Sequence, residues 1–355
     1  MLYSEPEKIK SLPFFFIIGR PRSGTTLLQL FFDAHPNVQI PSECLHIAQL
    51  YLHYKEVKKW NAGIISQFIK DFTGTWMFTF DKFHLEQIEK DLNQIADDLN
   101  VSTAFKIVAK NYNSIYPKQE LLICGDKNPY YSQVFGYIFP LIENSKFIHL
   151  VRDPRDMHIS QFNTRFVSPS ITYNTIRWVK SVKTLDAYSK VFPNKIYTLR
   201  YEDLVCYPEK YLKEICDFLN IPFAPEMLNY LDKKEELTKV AFVNDFYKTK
   251  YHLSVCEKVN PNKIGQWKTR LKPSKIKKAE RIAGFWLDKF HYEKKYKSPG
   301  TWSKFSTIPG KILFRFIEWE RKQMIHLPKK WQLKIALKSH VPFSYWWKFY
   351  GNKKL

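Results

Sequence analysis

The sequence predicts an α/β domain, a parallel sheet flanked by helices and built around a phosphate-binding loop of the P-loop type. Three observations carry this. The apolar run Phe14–Ile18 leads into GRPRSGTT, Gly19 to Thr26, and then into a helical pattern from Thr25 to Ala34. Four further buried-strand candidates follow, at Ala104–Val108, Leu121–Cys124, Lys146–Val151 and Lys195–Leu199, with helical patterns between them, notably Leu85–Leu99, Tyr173–Tyr188 and Glu209–Leu219. Strands alternating with helices imply a parallel sheet covered on both faces. The 355 residues, 45% hydrophobic and 17% aromatic, suffice for one large α/β domain or two smaller ones.

Phe14–Ile18 is apolar throughout and stops at a glycine, the pattern of a strand buried on both faces. In the loop that follows, glycines let the backbone approach a ligand closely, and the amides at the helix N-terminus form an anion site. A nucleotide triphosphatase also carries a lysine after the second glycine. Here Thr25 stands in that position, the cation comes earlier as Arg22, and Ser23, Thr25 and Thr26 add hydroxyls. Such a loop suits a terminal anionic group held without an evident metal; a bare structural turn is the bland reading.

The second feature is FIHLVRDPRDMHISQF, Phe147–Phe162. A strand ends at Arg152, Pro154 suits a first helical turn, and Ser160 falls about two turns in. Arg152 and Ser160 can clamp one phosphate between them; ordinary capping with a local Arg–Asp pair is the alternative.

Composition narrows the partners. The formal charge of +22, from 56 Lys+Arg against 34 Asp+Glu, favours anionic ones, although only 11 of the basic residues are Arg. Cys44, Cys124, Cys206, Cys216 and Cys256 form no metal-ligand spacing, and an odd, scattered set points to a reducing compartment. The first residues lack a signal-peptide core, and no run reaches membrane-spanning length. The expectation is a cytoplasmic protein.

GRPRSGTT followed by LVRDPRDMHIS resembles the two nucleotide-binding motifs of sulfotransferases that use 3′-phosphoadenosine-5′-phosphosulfate, in particular the protein-tyrosine branch and its bacterial relatives, to which PRSGTTL and DAHPNV are similar almost residue for residue. The resemblance covers roughly Phe14 to Leu271. It implies the sulfotransferase fold and sulfuryl transfer from that donor to a hydroxyl of an unknown acceptor (glycan, lipid-linked sugar, phenol or peptide tyrosine), with no metal required. The first motif, Arg22, Ser23, Gly24, Thr25 and Thr26, then holds the 5′-phosphosulfate, and Arg152 with Ser160 holds the 3′-phosphate. By the same matching, Glu43 in PSECLH is the general base, Lys127 in CGDKNPYY stabilises the leaving phosphate together with Arg22, and Tyr201 in LRYEDLV contacts the nucleotide. VNPNKIGQWK resembles the loop that closes over the nucleotide. Gln266 stands where the tyrosine-specific branch has a lysine, which leaves Lys263, Lys268 and the nearby Ser254 as candidates.

Two other classes compete. A P-loop small-molecule kinase would need a Mg²⁺-binding carboxylate, for which Asp126 and Asp153 are the candidates. A non-catalytic basic protein binding membrane or nucleic acid would need no Glu43, Arg22 and Lys127 together, and nucleic acid is not expected. The aromatic residues between 44 and 100 (Tyr51, Tyr54, Trp60, Phe72, Trp76, Phe78, Phe80) suit an acceptor pocket, with core packing ranked first. The domain is expected over residues 1–300. Residues 301–355, with 12 Lys+Arg, 2 Asp+Glu and five of the ten Trp, read as a basic aromatic helical extension, either a packed cap or a peripheral contact with an anionic membrane.

Overall fold

A computed structural model describes residues 5–44, 46–75, 78, 82–133, 135–161, 170–242, 257–296 and 301–324. The chain runs α1 (Glu5–Ser11), β1 (Phe14–Gly19), α2 (Thr25–Asp33), β2 (Val38–Gln39), α3 (His46–Tyr54), α4 (Ala62–Thr73), α5 (Leu85–Gln94), α6 (Val101–Lys110), β3 (Ile123–Lys127), α7 (Phe135–Ile138) and β4 (Lys146–Val151). It continues through α8 (Pro154–Gln161), α9 (Ile171–Val191), β5 (Ile196–Arg200), α10 (Tyr201–Cys206), α11 (Pro208–Leu219), α12 (Lys234–Phe242), α13 (Trp267–Arg270), α14 (Pro273–Lys289), α15 (Thr301–Ser306) and α16 (Ile308–Met324).

The five strands form one parallel sheet in the order β2-β3-β1-β4-β5. β1 sits at its centre, and its alternating side chains enter two different cores. Phe14, Phe16 and Ile18 pack with α3, α4 and α6 on one face. Phe15 and Ile17 pack with α2, α10 and α11 on the other. Every residue of β1 is buried, as the unbroken apolar run predicted. The chain leaves β1 toward β2 and β3 on one side and later returns to add β4 on the other. That reversal places the C-terminal ends of β3, β1 and β4 side by side, where ligands bind in open parallel sheets.

The expected strand at Ala104–Val108 is instead the middle of α6. The Asn100 side chain accepts from the Thr103 amide and starts the helix. Ala104, Phe105, Ile107 and Val108 are all buried, so this helix shows no polar face by which its period could be read. The run expected at Leu121–Cys124 begins at Ile123 and extends to Lys127, which makes Lys127 a strand residue and not a surface lysine beside a turn. β2, only two residues long, gave no signal. Tyr54, Trp60 and Phe72 are buried in the core beneath α3 and α4, in line with the packing reading; Trp76 and Phe80 lie outside the described residues.

In the C-terminal region, α16 packs on α9 and α15 on α14. Ser254, Cys256, Trp331, Trp346 and Trp347 lie outside the described residues. Cys44, Cys124, Cys206 and Cys216 are free thiols. Among the described residues, no helix is long and apolar enough to cross a membrane.

Candidate active site

The loop between β1 and α2 is tied back on itself. The Ser23 amide and its hydroxyl both donate to the Arg20 carbonyl, at 3.0 and 2.6 Å. Gly24 has φ 94°, which a side chain would resist, and a Cβ there would run into the ring of Tyr201. Arg22 also sits at positive φ, 73°. A bulky residue in this region is strained unless its surroundings hold it, and two groups do so. Arg22 Nε donates to Ser160 Oγ at 3.0 Å, and Arg152 Nη1 donates to the Arg22 carbonyl at 3.1 Å. The two motifs, about 130 residues apart in sequence, therefore meet through Arg22. Ser160 accepts from Arg22 and keeps its own hydroxyl proton to donate.

The first amides of α2 have no acceptor within the helix, and no side chain caps them. From β3 comes Lys127, 2% exposed, whose Nζ lies 3.0 Å from Glu43 Oε2 and 3.5 Å from Thr26 Oγ1. The lysine missing after the second glycine is thus supplied in space by the adjacent strand. Glu43, on the segment between β2 and α3, is 17% exposed. Ser132, in the turn after β3, donates to the Gly19 carbonyl at 2.7 Å and fixes the loop's first residue.

From β4 comes Arg152, which spreads over neutral partners. Its guanidinium stacks 4.2 Å from the Tyr201 ring centre, and Nη2 donates to the Lys263 carbonyl at 3.3 Å. Nε is buried and has no hydrogen-bond partner among the described residues. Lys263 therefore touches this cluster through its backbone, while its ammonium lies 3.6 Å from Glu257. Lys268 pairs with Glu293, and Gln266 accepts from Arg270 at 2.9 Å.

Several supporting residues left no sequence signal. Asp156 accepts from the Gly265 and Trp267 amides at 2.6 and 2.8 Å, which pins the 257–267 loop to the start of α8. Arg155, fully buried, bridges Asp153 at 2.7 Å and Glu280 at 2.6 Å and lies 3.5 Å over the Trp267 ring. Glu202 accepts from the Asp153 amide and from the Tyr292 hydroxyl, and burial pushes its pKa up to about 7. Burial likewise pushes Asp126, next to Lys127, to about 7. Only the Arg155–Asp153 pair within the D-P-R-D turn is local; Glu280, the other carboxylate on Arg155, and the partners of Asp156 come from more than 100 residues away.

Comparison with known proteins agrees with this architecture. The family model described as "Sulfotransferase family" matches residues 13–225, more than half of the chain. Protein-tyrosine sulfotransferase 1 of Danio rerio is 25% identical over 62% of this chain and 57% of its own. Its Homo sapiens counterpart is 24% identical over 83% of this chain and 73% of its own. An uncharacterised protein of Aquifex aeolicus (strain VF5) is 25% identical over 68% of this chain, which spans only 29% of that protein. The solved sulfotransferase domain of the Synechococcus PCC 7002 olefin synthase has the same fold, with a TM-score of 0.51, 20% identity and coverage of 79% of this chain and 95% of that domain. With a phosphate loop on β1, a basic residue at the end of each flanking strand and the family match running through both motifs, the chain belongs to the sulfotransferase family.

Proposed function

We propose that the protein transfers a sulfuryl group from 3′-phosphoadenosine-5′-phosphosulfate to an acceptor hydroxyl. The donor supplies an activated sulfur whose bond to the bridging phosphate oxygen breaks as a bond to the acceptor oxygen forms. The chain's residues supply the rest. Thr25, Thr26 and the α2 amides would hold the 5′ end, with Ser23 bracing the loop. Arg152, Ser160 and Tyr201 would hold the 3′-phosphate and base, with the Lys263 loop above them. Glu43 takes the acceptor proton. Lys127 and Arg22 stabilise charge that grows on the leaving oxygen, where preorganised cations act most strongly.

The observation that carries this reading is the position of Lys127, within reach of Glu43 and Thr26 at once. One ammonium can steady the base before reaction and shift toward the leaving group as the proton moves to Glu43. The donor also fits the Arg152 side, where a buried Nε without a hydrogen-bond partner among the described residues and a guanidinium on neutral groups leave positive charge for a phosphate. The kinase reading fares worse, because Asp153 commits both oxygens to Arg155 and Asp126 is fully buried.

The test is calorimetry with 3′-phosphoadenosine-5′-phosphate beside AMP. The 3′-phosphate should add affinity, and Arg152→Ala should remove about ten- to hundredfold of it, the size of a charge-assisted hydrogen bond, with AMP unaffected. Equal affinity for the two nucleotides would overturn the clamp. A screen of hydroxyl acceptors with sulfur-labelled donor then identifies the substrate class.

A further inference from the structure

Helix α16 is folded onto the domain by its less apolar side. Gly310 sits against Thr172, so close that a Cβ would collide; Phe314 meets Tyr173; and Glu318 pairs with Lys180 at 2.7 Å. Thr307, at the helix start, is fully buried. The 3.6-residue period turns Ile308, Ile312, Phe316 and Trp319 to the opposite side, and these four are 45%, 61%, 57% and 57% exposed. Phe305 of α15, 58% exposed, precedes them. A helix that merely capped the core would bury this stripe and solvate the other side. Contiguous exposed apolar surface of this kind marks a contact site.

Charge selects the occupant. Lys311 and Arg315 are exposed, and the helical period sets them along one flank of the stripe, with exposed Lys304 just before it. The helix carries four basic residues against two acidic ones, and Glu318, one of the two, is paired with Lys180. The sequence after it, residues 325–355, adds seven Lys and no Asp or Glu. Aromatic and aliphatic residues on one face with cations along its flank are what an interfacial helix presents to a bilayer, and clustered cations favour anionic headgroups. We infer that α16 is a peripheral attachment surface for an anionic phospholipid bilayer. Attachment asks nothing of the donor site, and it places the domain where acceptors carried on lipid are concentrated.

The test is co-sedimentation of the full chain with phosphatidylcholine vesicles, with and without phosphatidylglycerol, beside sedimentation velocity of the lipid-free protein. Binding to the phosphatidylglycerol vesicles is expected at low salt and should fall as salt rises. Ile312→Asp combined with Phe316→Asp, both on the exposed side, should weaken it at least about tenfold while nucleotide affinity stays at the parent value. Lys311→Glu with Arg315→Glu should weaken binding to the anionic vesicles selectively. Absence of binding by the parent protein overturns the inference. So does equal binding by parent and Ile312/Phe316 variant, which assigns the contact to general charge or to residues 325–355. A lipid-free dimer that the same variant splits into monomers assigns the face to a second copy, and overturns it as well.

Discussion

The strands on either side of β1 end in cations with opposite kinds of company. Lys127, closing β3, faces the carboxylate of Glu43 at 3.0 Å. Arg152, just past β4, forms no ion pair among the described residues and rests on two carbonyls and the face of Tyr201. Their supports differ in the same sense. Behind Lys127 lie aromatic side chains with Asp126 and His46 buried among them. Behind Arg152 lies an ionic web, Arg155 with Asp153 and Glu280, and Glu202 with Tyr292. A cation whose partner must change during a reaction gains from an exchangeable carboxylate. One that must hold a ligand's charge throughout gains from neutral partners that orient it and leave its charge uncommitted.

Removing the base attacks the β3 side most directly. Glu43→Gln keeps the shape, removes the proton acceptor and frees Lys127 from its counter-charge. Turnover on the acceptor found by screening should fall about 10²–10⁴-fold, the usual range of general-base effects. Affinity for 3′-phosphoadenosine-5′-phosphate should hold or rise, since Lys127 is then available to phosphate. Parent-level turnover would take Glu43 out of the chemistry and with it the division between the two sides.

On the β4 side the sharpest probe is Asp156. In Asp156→Asn one oxygen becomes a donor facing another donor, so one of the two amide bonds to Gly265 and Trp267 is lost. A hydrogen bond to a charged group contributes about 1.5–3 kcal/mol. Nucleotide affinity should therefore drop about tenfold, and protease should cut within 257–266 faster than in the parent. Because Asp156 is remote from Glu43 in the proposed mechanism, bound nucleotide at saturation should restore turnover. A lower saturated rate with unchanged affinity would show that the loop serves chemistry and not donor retention.

Much of this arrangement was legible in the sequence, for identifiable reasons. β1 was readable because a strand buried on both faces is an unbroken apolar run, β4 because Phe147, Ile148, Leu150 and Val151 keep it largely apolar despite His149, and each led into a motif. Arg22, Arg152 and Ser160 were readable as candidates because glycine spacing and strand-end position are local properties. α6 was misread because a helix buried all round loses the period that distinguishes it from a strand. Asp156, Arg155 and Glu280 were invisible for a different reason. Their meaning is pairwise, and the pairs span 109 to 125 residues, so no local pattern could join them. Lys127 falls between these cases: the resemblance picked it out, yet only the β1–β3 register explains how it stands in for the loop's missing lysine.

The smallest effect tests the apolar support itself. His46, three residues after Glu43, is fully buried with ring contacts to Phe72, Phe83 and Phe105 at 5.4, 6.5 and 5.8 Å, and neither ring nitrogen has a hydrogen-bond partner among the described residues. Burial lowers its pKa from the ordinary 6.5 to about 3. A group whose pKa falls on folding takes its proton more readily in the unfolded chain. The stability tied to neutral His46 is thus complete above pH 6.5 and is lost as pH drops from there toward 3, with a slope approaching about 1.4 kcal/mol per pH unit. Phenylalanine has a similar ring and no proton to bind. His46→Phe should change stability by less than about 1.5 kcal/mol at neutral pH and gain on the parent below pH 6.5. Part of the acid sensitivity will remain, because His149 and His158 are lowered by burial too, to about 3 and about 4. Urea denaturation of parent and variant across this pH range gives the comparison. Curves that stay parallel would mean that His46 is not held neutral by an apolar layer, and the β3 side would lose the property that sets it apart from the ionic web behind Arg152.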